Sequence, residues 1–338
     1  MKKLFIALLL IILCCANILP AIADEPIQVV FNDPYHNEKD RSIQKMMVDD
    51  IKAAEERIDV ATYNFTDTKI AEQLIKAVKR GVEVNVVLDE ENFDKDVVRD
   101  MRNGGVNLVK AVSEGLMHAK YMIIDGRITI SGSANLTVSS YSYDNNFMIR
   151  IDSPEIAALF TEEFEEMFLD GIFGEESAYH TKPTKGVELS DGTVVYVRFS
   201  PDDKIDDLIE TLIDAADESV YMLAYSFASK DIKEKLVKAD KEGLDVIVIC
   251  EDSKAYTDGG GQCGPLAEDG VKVYVDGYGE NLMHEKAIIL DNSVVIAGSY
   301  NYTRSADKRN DEQILVIQSE EIADQFLAEF DKILADAK

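Results

Sequence analysis

The chain has 338 residues, in which 64 Asp and Glu face 35 Lys and Arg, for a formal net charge of −29 at pH 7. A field of that sign repels polyanions over long range, and the basic stripe of a duplex-tracking protein is not visible. The balance weighs against avid nucleic-acid binding at low salt, because only high ionic strength screens such repulsion.

Lys2 and Lys3 precede an apolar run from Leu4 to Leu19, interrupted by Asn17, and Ala21-Ile22-Ala23 follows. This predicts a signal peptide over residues 1–23, cleavage before Asp24, and an exported protein, periplasmic or extracellular. An uncleaved anchor is the competing reading, since the run is nearly long enough to span a bilayer. Removing Lys2 and Lys3 deepens the acidity further. Only Cys250 and Cys263 then remain, and an exported chain makes them a disulfide candidate. No cluster has metal-ligand spacing, so neither a metal nor another cofactor is expected.

From Ile27 onward the chain reads as one unit written twice. A short strand Ile27–Phe31 leads to a helical pattern over Ser42–Glu56 and a strand over Ile58–Phe65. An amphipathic helix starting near Ile70 stops at Gly81, a C-cap signal, before the buried-type strand Val82–Leu88. After further strands a helix over Pro154–Phe168 closes the copy. Gly171–Asp191 reads as a connector. The second copy then repeats the series: strand Val194–Phe199, helix Ile205–Asp217, strand Val220–Phe227, helix from Ile232 to Gly243, strand Leu244–Cys250, and a closing helix Glu320–Leu334. The offset is 162 up to the third strand and 166 beyond it, which places a four-residue insertion in copy 2. Alternating strands and helices predict an α/β fold, each copy a mixed sheet flanked by helices. The expected domains are 24–172 and 193–338, joined by a linker at 173–192.

The element His-x-Lys-x-x-x-x-Asp occurs once in each copy. His118, Lys120 and Asp125 precede Gly132-Ser133-Ala134-Asn135. His284, Lys286 and Asp291 precede Gly298-Ser299-Tyr300-Asn301, all 166 positions later. Side chains two apart on a strand share a face, so each His-Lys pair projects together at a strand end. Lysine supplies a point charge for phosphate and the Asn amide a neutral donor. Two such halves predict one composite phosphate site, with Lys120, Lys286, Asn135, Asn301, Ser133 and Ser299 around the phosphate. Asp125-Gly126 and Asp291-Asn292 look like hairpin turn dipeptides, so these aspartates are expected to fix the strand ends rather than touch substrate.

These residues resemble the signature of the phospholipase D superfamily, and the resemblance covers nearly the whole chain after residue 23. Each copy looks most like the small secreted bacterial endonucleases of that superfamily. The resemblance implies two such domains related by a pseudo-twofold axis, in a monomer holding both half-sites. It also implies a two-step displacement at phosphorus, in which one histidine attacks and the other protonates the leaving alcohol and then activates water. In two-copy members a residue near position 28 after the histidine reaches the opposite histidine. Carried over, Glu312 would orient His118 and Asn146 would orient His284. A carboxylate behind an imidazole raises its basicity more than an amide does, which makes His118 the expected nucleophile and His284 the acid.

Phosphodiester hydrolysis is the expected reaction. A phospholipid headgroup ester is the favoured substrate, reached through transient contact with a membrane surface, because Leu116-Met117 and Leu282-Met283 put apolar residues beside both histidines. The alternative is a secreted nuclease acting on DNA or RNA, whose bases would stack on Tyr63, Phe65, Tyr225 and Phe227. Ordinary core packing is the competing fate of all eight.

Overall fold

The computed structural model describes residues 25–37, 40–177, 185–255, 260–279 and 281–338. The expected signal segment, residues 1–23, lies outside them. Copy 1 contributes seven strands: β1 (Ile27–Asn32), β2 (Arg57–Thr62), β3 (Glu83–Asp89), β4 (Asn107–Ala111), β5 (Lys120–Ile124), β6 (Ile128–Gly132) and β7 (Asn146–Asp152). They form one sheet in the order β1-β7-β6-β5-β2-β3-β4. Copy 2 contributes β8 (Val187–Glu188), β9 (Val194–Ser200), β10 (Ser219–Ala224), β11 (Asp245–Cys250), β12 (Lys272–Val275), β13 (Lys286–Leu290), β14 (Val294–Gly298) and β15 (Glu312–Gln318). Its order, β12-β11-β10-β13-β14-β15-β9-β8, is the first sheet again with β8 added at one edge. In each sheet the pairs β2–β3–β4 and β10–β11–β12 run parallel and the others antiparallel. The mixed α/β architecture expected from the alternation is what forms.

Local chemistry sets the element ends. Helix Thr68–Arg80 starts where the Asp67 carboxylate accepts from the Lys69 and Ile70 N–H groups, and it ends at Gly81 with φ 98°. Its counterpart Lys230–Glu242 starts on the Ser229 hydroxyl and ends at Gly243 with φ 101°. Both glycines take the left-handed conformation that closes a helix at little steric cost. Two helices stop sooner than the apolar period predicts. The first is Ser42–Ala53 rather than 42–56, because Asp125 takes the N–H groups of Glu55, Glu56 and Arg57 at 2.8–2.9 Å. Helix Ile205–Asp214 stops likewise where Asp291 takes those of Asp217, Glu218 and Ser219. The closing helices are Pro154–Glu165, followed by a wider turn over Glu166–Asp170, and Glu320–Asp336.

Three apolar layers result. One lies outside each sheet, under the helices of that copy other than its closing helix. The third joins the copies. Phe147, Phe160 and Phe164 pack in a single cluster with Phe199, Phe326 and Phe330, and the two closing helices lie in this layer. The copies therefore meet through a hydrophobic core, which fixes the relative position of anything mounted on both sheets.

The described parts of the connector are anchored. Gly174 N–H donates to the Asp311 carboxylate at 2.6 Å, and β8 pairs with β9. Cys250 and Cys263 are joined in a disulfide. Strand register divides the insertion: Asn85 pairs with Asn107 and Ile247 with Lys272, so three of the four extra residues fall between β11 and β12. The fourth lies between β12 and His284.

Candidate active site

Each histidine is mounted on the opposite copy by a short parallel bridge. His118 N–H donates to the Asp311 carbonyl at 2.9 Å, and Asp311 N–H donates back to Leu116 O at 2.9 Å. In the other half His284 N–H donates to Asn145 O at 3.0 Å and Asn145 N–H to Leu282 O at 2.8 Å. Residues 118 and 284, and 145 and 311, are related by the 166-residue offset, so the two bridges form a pseudo-twofold pair. The backbone that carries the imidazoles is shared between domains.

The side chains repeat the exchange. His118 Nδ1 lies 2.7 Å from Oε2 of Glu312, and His284 Nδ1 lies 2.9 Å from Oδ1 of Asn146. Asn146 Nδ2 donates to Ser140 O, which turns its oxygen toward the ring, so His284 carries its proton on Nδ1. A carboxylate accepts only, so His118 is protonated on Nδ1 as well. In both rings Nε2 is the atom left for chemistry. The hydroxyl of Ser133 donates to Asn146 at 2.9 Å and that of Ser299 to Glu312 at 2.6 Å. That commits the two hydroxyls, expected around the phosphate, to orienting the partners of the histidines instead.

Lys120 and Lys286 are each 1 % exposed, and each Nζ donates to the carbonyl of its own motif histidine at 2.5 Å. A half-buried tyrosine ring covers each pair. Tyr63 stands 5.3 Å from the His118 ring and 5.7 Å from Lys120 Nζ; Tyr225 stands 4.5 Å from the His284 ring and 4.4 Å from Lys286 Nζ. The ring faces give two desolvated ammonium groups part of what water would supply. Asn135 and Asn301 follow in matching turns, each with a buried Oδ1 lacking a hydrogen-bond partner among the described residues.

Burial and mutual charge control the titration. Burial pushes His118 below the usual imidazole range; Glu312 opposes this and Lys120 adds to it. Burial, followed by Lys286, Lys120 and His118, pushes His284 much further down, against a hydrogen bond to the Ser133 backbone. Burial pushes Lys120 down to about 7, and burial together with Lys120 takes Lys286 well below its ordinary value. Burial would raise Glu312, but His118, Lys120 and the Ser299 hydroxyl outweigh it and hold the group below the usual carboxylate range. The site is a buried cluster of bases around Glu312 whose charged forms lack the solvation that water would give them.

Asp125 and Asp291 lie outside this cluster, in the β5–β6 and β13–β14 turns, at φ 51° and 50°. Met117 and Met283, expected to flank a lipid, are buried in the core between the sheets, as are Phe65 and Phe227 in the outer layers. Only Leu116, Leu282, Tyr63 and Tyr225 stay partly exposed. Sequence reading missed three supports. Gln313 crosses between domains, accepting from Lys120 N–H at 3.0 Å and donating to the Lys120 and Gly132 carbonyls. Asp89 and Asp276 hold Met117 N–H and Met283 N–H, one residue before each histidine. Among the described residues no group of three His, Cys, Asp or Glu side chains is placed to hold a metal ion.

Two stretches of the chain, residues 47–168 and 209–334, match the family described as "Cardiolipin synthase, PLD-like domain". The chain is 32 % identical over 152 residues to a protein named phospholipase D from Rickettsia bellii, covering 44 % of this chain and 75 % of that one. It is 25 % identical over 322 residues to cardiolipin synthase A from Buchnera aphidicola, covering 82 % of this chain and 64 % of that one. Among solved structures, phosphatidylserine synthase from Haemophilus influenzae superposes with a TM-score of 0.72 at 15 % identity, over 93 % of this chain and 87 % of that one, a likeness of fold.

Proposed function

This chain belongs to the PLD-like domain family, and from that membership and the geometry of its site we propose a phosphodiesterase that works through a covalent phosphohistidine. The observation that carries the reading is the reciprocal exchange: His118 on Glu312 and His284 on Asn146, each bond crossing the domain interface and leaving Nε2 open.

In the proposed first step, His118 Nε2 attacks phosphorus and the bond to the leaving alkoxide breaks. Protonated His284 gives its Nε2 proton to that oxygen. Glu312 stabilises the charge that appears on the His118 ring, as a buried carboxylate does behind any imidazole that becomes cationic. In the second step His284 takes a proton from water, the water oxygen bonds to phosphorus, and the phosphorus–nitrogen bond breaks to free His118. Lys120 and Lys286, with the Asn135 and Asn301 amides, stand against the non-bridging oxygens, where charge concentrates. The entering phosphodiester anion also lifts the depressed basicity of His284, so substrate itself favours the protonated acid.

A phospholipid headgroup ester is the favoured substrate. The net charge of −29 disfavours polyanions, and several relatives carry lipid names. A nuclease is the second reading, supported by the Tyr63 and Tyr225 rings beside the histidines, where bases would stack. Residues 1–23 are proposed as a cleaved export signal, and a monomer suffices because one chain supplies both halves.

The test is turnover of bis(4-nitrophenyl) phosphate, phosphatidylcholine vesicles and single-stranded DNA, each with excess EDTA. The first two are expected to be cleaved with undiminished rates, since lysines supply the positive charge at phosphorus. Loss with chelator and recovery with a divalent ion contradicts the mechanism; cleavage confined to DNA selects the nuclease.

A further inference from the structure

The two copies repeat the chemistry of the site but not its rim. Helix Val138–Ser142 follows Asn135, and helix Arg304–Lys308 follows Asn301 at the same offset. In copy 1 the rim positions hold Val138, Ser142 and Tyr143. In copy 2 the same positions hold Arg304, Lys308 and Arg309, all exposed. The duplication therefore acts as an internal control: the shared scaffold does not require cations here.

Their surroundings sharpen the point. Arg304, Ser305, Lys308 and Arg309, with Glu175, line a cavity of about 520 Å³. Asp307 engages Lys308 at 2.7 Å, but among the described residues no carboxylate comes within ion-pair distance of Arg304 or Arg309, and the Arg309 guanidinium bonds the Ser305 hydroxyl, at 3.0 Å. In a chain with 64 acidic residues, this hollow gathers Arg304, Lys308 and Arg309 against one lining carboxylate, Glu175, while Asp206, Asp231 and Asp307 line the neighbouring hollow that Arg304 and Lys308 also border. One residue of the hollow also lies close along the chain to the catalytic cluster. Arg309 stands three residues before Glu312, so their Cα atoms lie within about 11 Å. Its backbone packs against Gly115 and Gly174, leaving no room for a side chain at either glycine. The hollow is thus fixed to the segment that carries His118.

We propose that this cavity is an anion subsite that holds a second phosphate group of the substrate, with Arg304 and Arg309 as its ligands and Ser305 as a neutral donor. Guanidinium suits the task, because its fork of donors matches phosphate oxygens in pairs. The inference rests on the phosphodiesterase reading and narrows it: preferred substrates carry, besides the scissile phosphodiester, a phosphate on one side of it. The rim around Val138 and Tyr143, without such charges, would leave the other side of the substrate unselected for charge.

The test compares bis(4-nitrophenyl) phosphate with a 4-nitrophenyl propyl phosphodiester whose propyl end carries a phosphomonoester. In the R304A/R309A protein, KM for the second substrate is expected to rise about tenfold while its kcat stays unchanged. Constants for the first substrate are expected to stay at wild-type values, which also shows that the variant is folded. R304E/R309E is expected to raise the second KM further. Equal losses on both substrates, or no change on either, overturn the subsite. Failure of the wild-type protein to cleave either substrate instead overturns the phosphodiesterase reading beneath it. A short-chain phospholipid with a second phosphate and a 5′-phosphorylated dinucleotide, run beside the probe, identify the source by which one repeats the arginine-dependent KM.

Discussion

The Glu312 carboxylate lies 2.7 Å from Nδ1 of His118, across a domain interface and 194 residues along the chain. Its pseudo-twofold counterpart is an amide, so two geometrically equivalent imidazoles stand in different electrostatic surroundings. The carboxylate makes His118 the more basic ring, and in the proposed mechanism the bound phosphodiester anion supplies the opposite bias, toward a protonated His284.

Glu312→Gln keeps the shape of the side chain and removes its charge. The rate of attack is expected to fall on the order of 1000-fold, in line with loss of a carboxylate behind a catalytic imidazole. Asn146→Ala, which removes no charge, is expected to cost less. Single-turnover kinetics on bis(4-nitrophenyl) phosphate measure both. Equal losses would show that Glu312 serves only as a spacer.

Much of this pairing is legible in the amino-acid sequence, because two copies in register turn one motif into a coordinate system. His118 and Lys120 are found by counting along that register, whereas the pairing of Glu312 with His118 and of Asn146 with His284 is what the family resemblance implies once carried onto it. Gln313 is not legible, since copy 1 has Phe147 at its position and the repeat offers no warning. Asp276 escapes for a related reason. It does for Met283 what Asp89 does for Met117, but from a different strand end, and such substitutions of position appear only in the folded backbone. Helix lengths are overread because an apolar period cannot show that a distant aspartate claims the last N–H groups. Met117 and Met283 are ambiguous in sequence, as apolar residues beside polar ones are, and only the layer between the sheets decides their fate.

The pH profile of kcat/KM follows from the shifts at the two rings. Both histidines are lowered, His284 the more. The reactive free enzyme has His118 neutral and His284 protonated. Because His118 is the more basic ring, this form is a minor one, level between the two depressed values and falling on the alkaline side once pH exceeds that of His118. The optimum of kcat/KM is therefore expected below the ordinary imidazole value of about 6.5. The kcat optimum should lie higher, since bound phosphodiester favours the protonated ring. A kcat/KM optimum at neutral pH or above contradicts the electrostatic account.

Burial pushes Lys120 down to about 7, so the charged form of this side chain costs the fold stability. Lys120→Met fills nearly the same volume without the ammonium group. The variant is expected to melt at the same temperature or higher, while losing about 3 kcal/mol or more of transition-state stabilisation. Calorimetry and steady-state kinetics on one preparation decide it. A variant that retains its rate would show the lysine to be dispensable.

Asp125→Ala removes three hydrogen bonds to the start of β2. It is expected to lower stability by about 2 kcal/mol with little change in kcat for the folded fraction. These backbone N–H groups outweigh burial and hold the carboxyl below its ordinary value. Its contribution is thus present above the unfolded pKa of about 3.9 and is lost as pH falls through the lower folded value. Denaturant titrations at several pH values should show wild type and variant converging in acid. A constant gap down to about pH 2 would assign the loss to packing instead.

In the proposed mechanism His118 becomes covalently bonded to phosphorus while His284 moves protons. Rapid-quench mass spectrometry on the His284→Ala protein with a nitrophenyl phosphodiester tests it most directly. Nitrophenolate leaves without acid help, so the first step survives and the second stalls. Phosphate is expected to accumulate on His118, and His118→Ala is expected to trap none. Phosphate found on His284 in the wild-type protein would contradict it and reverse the two roles.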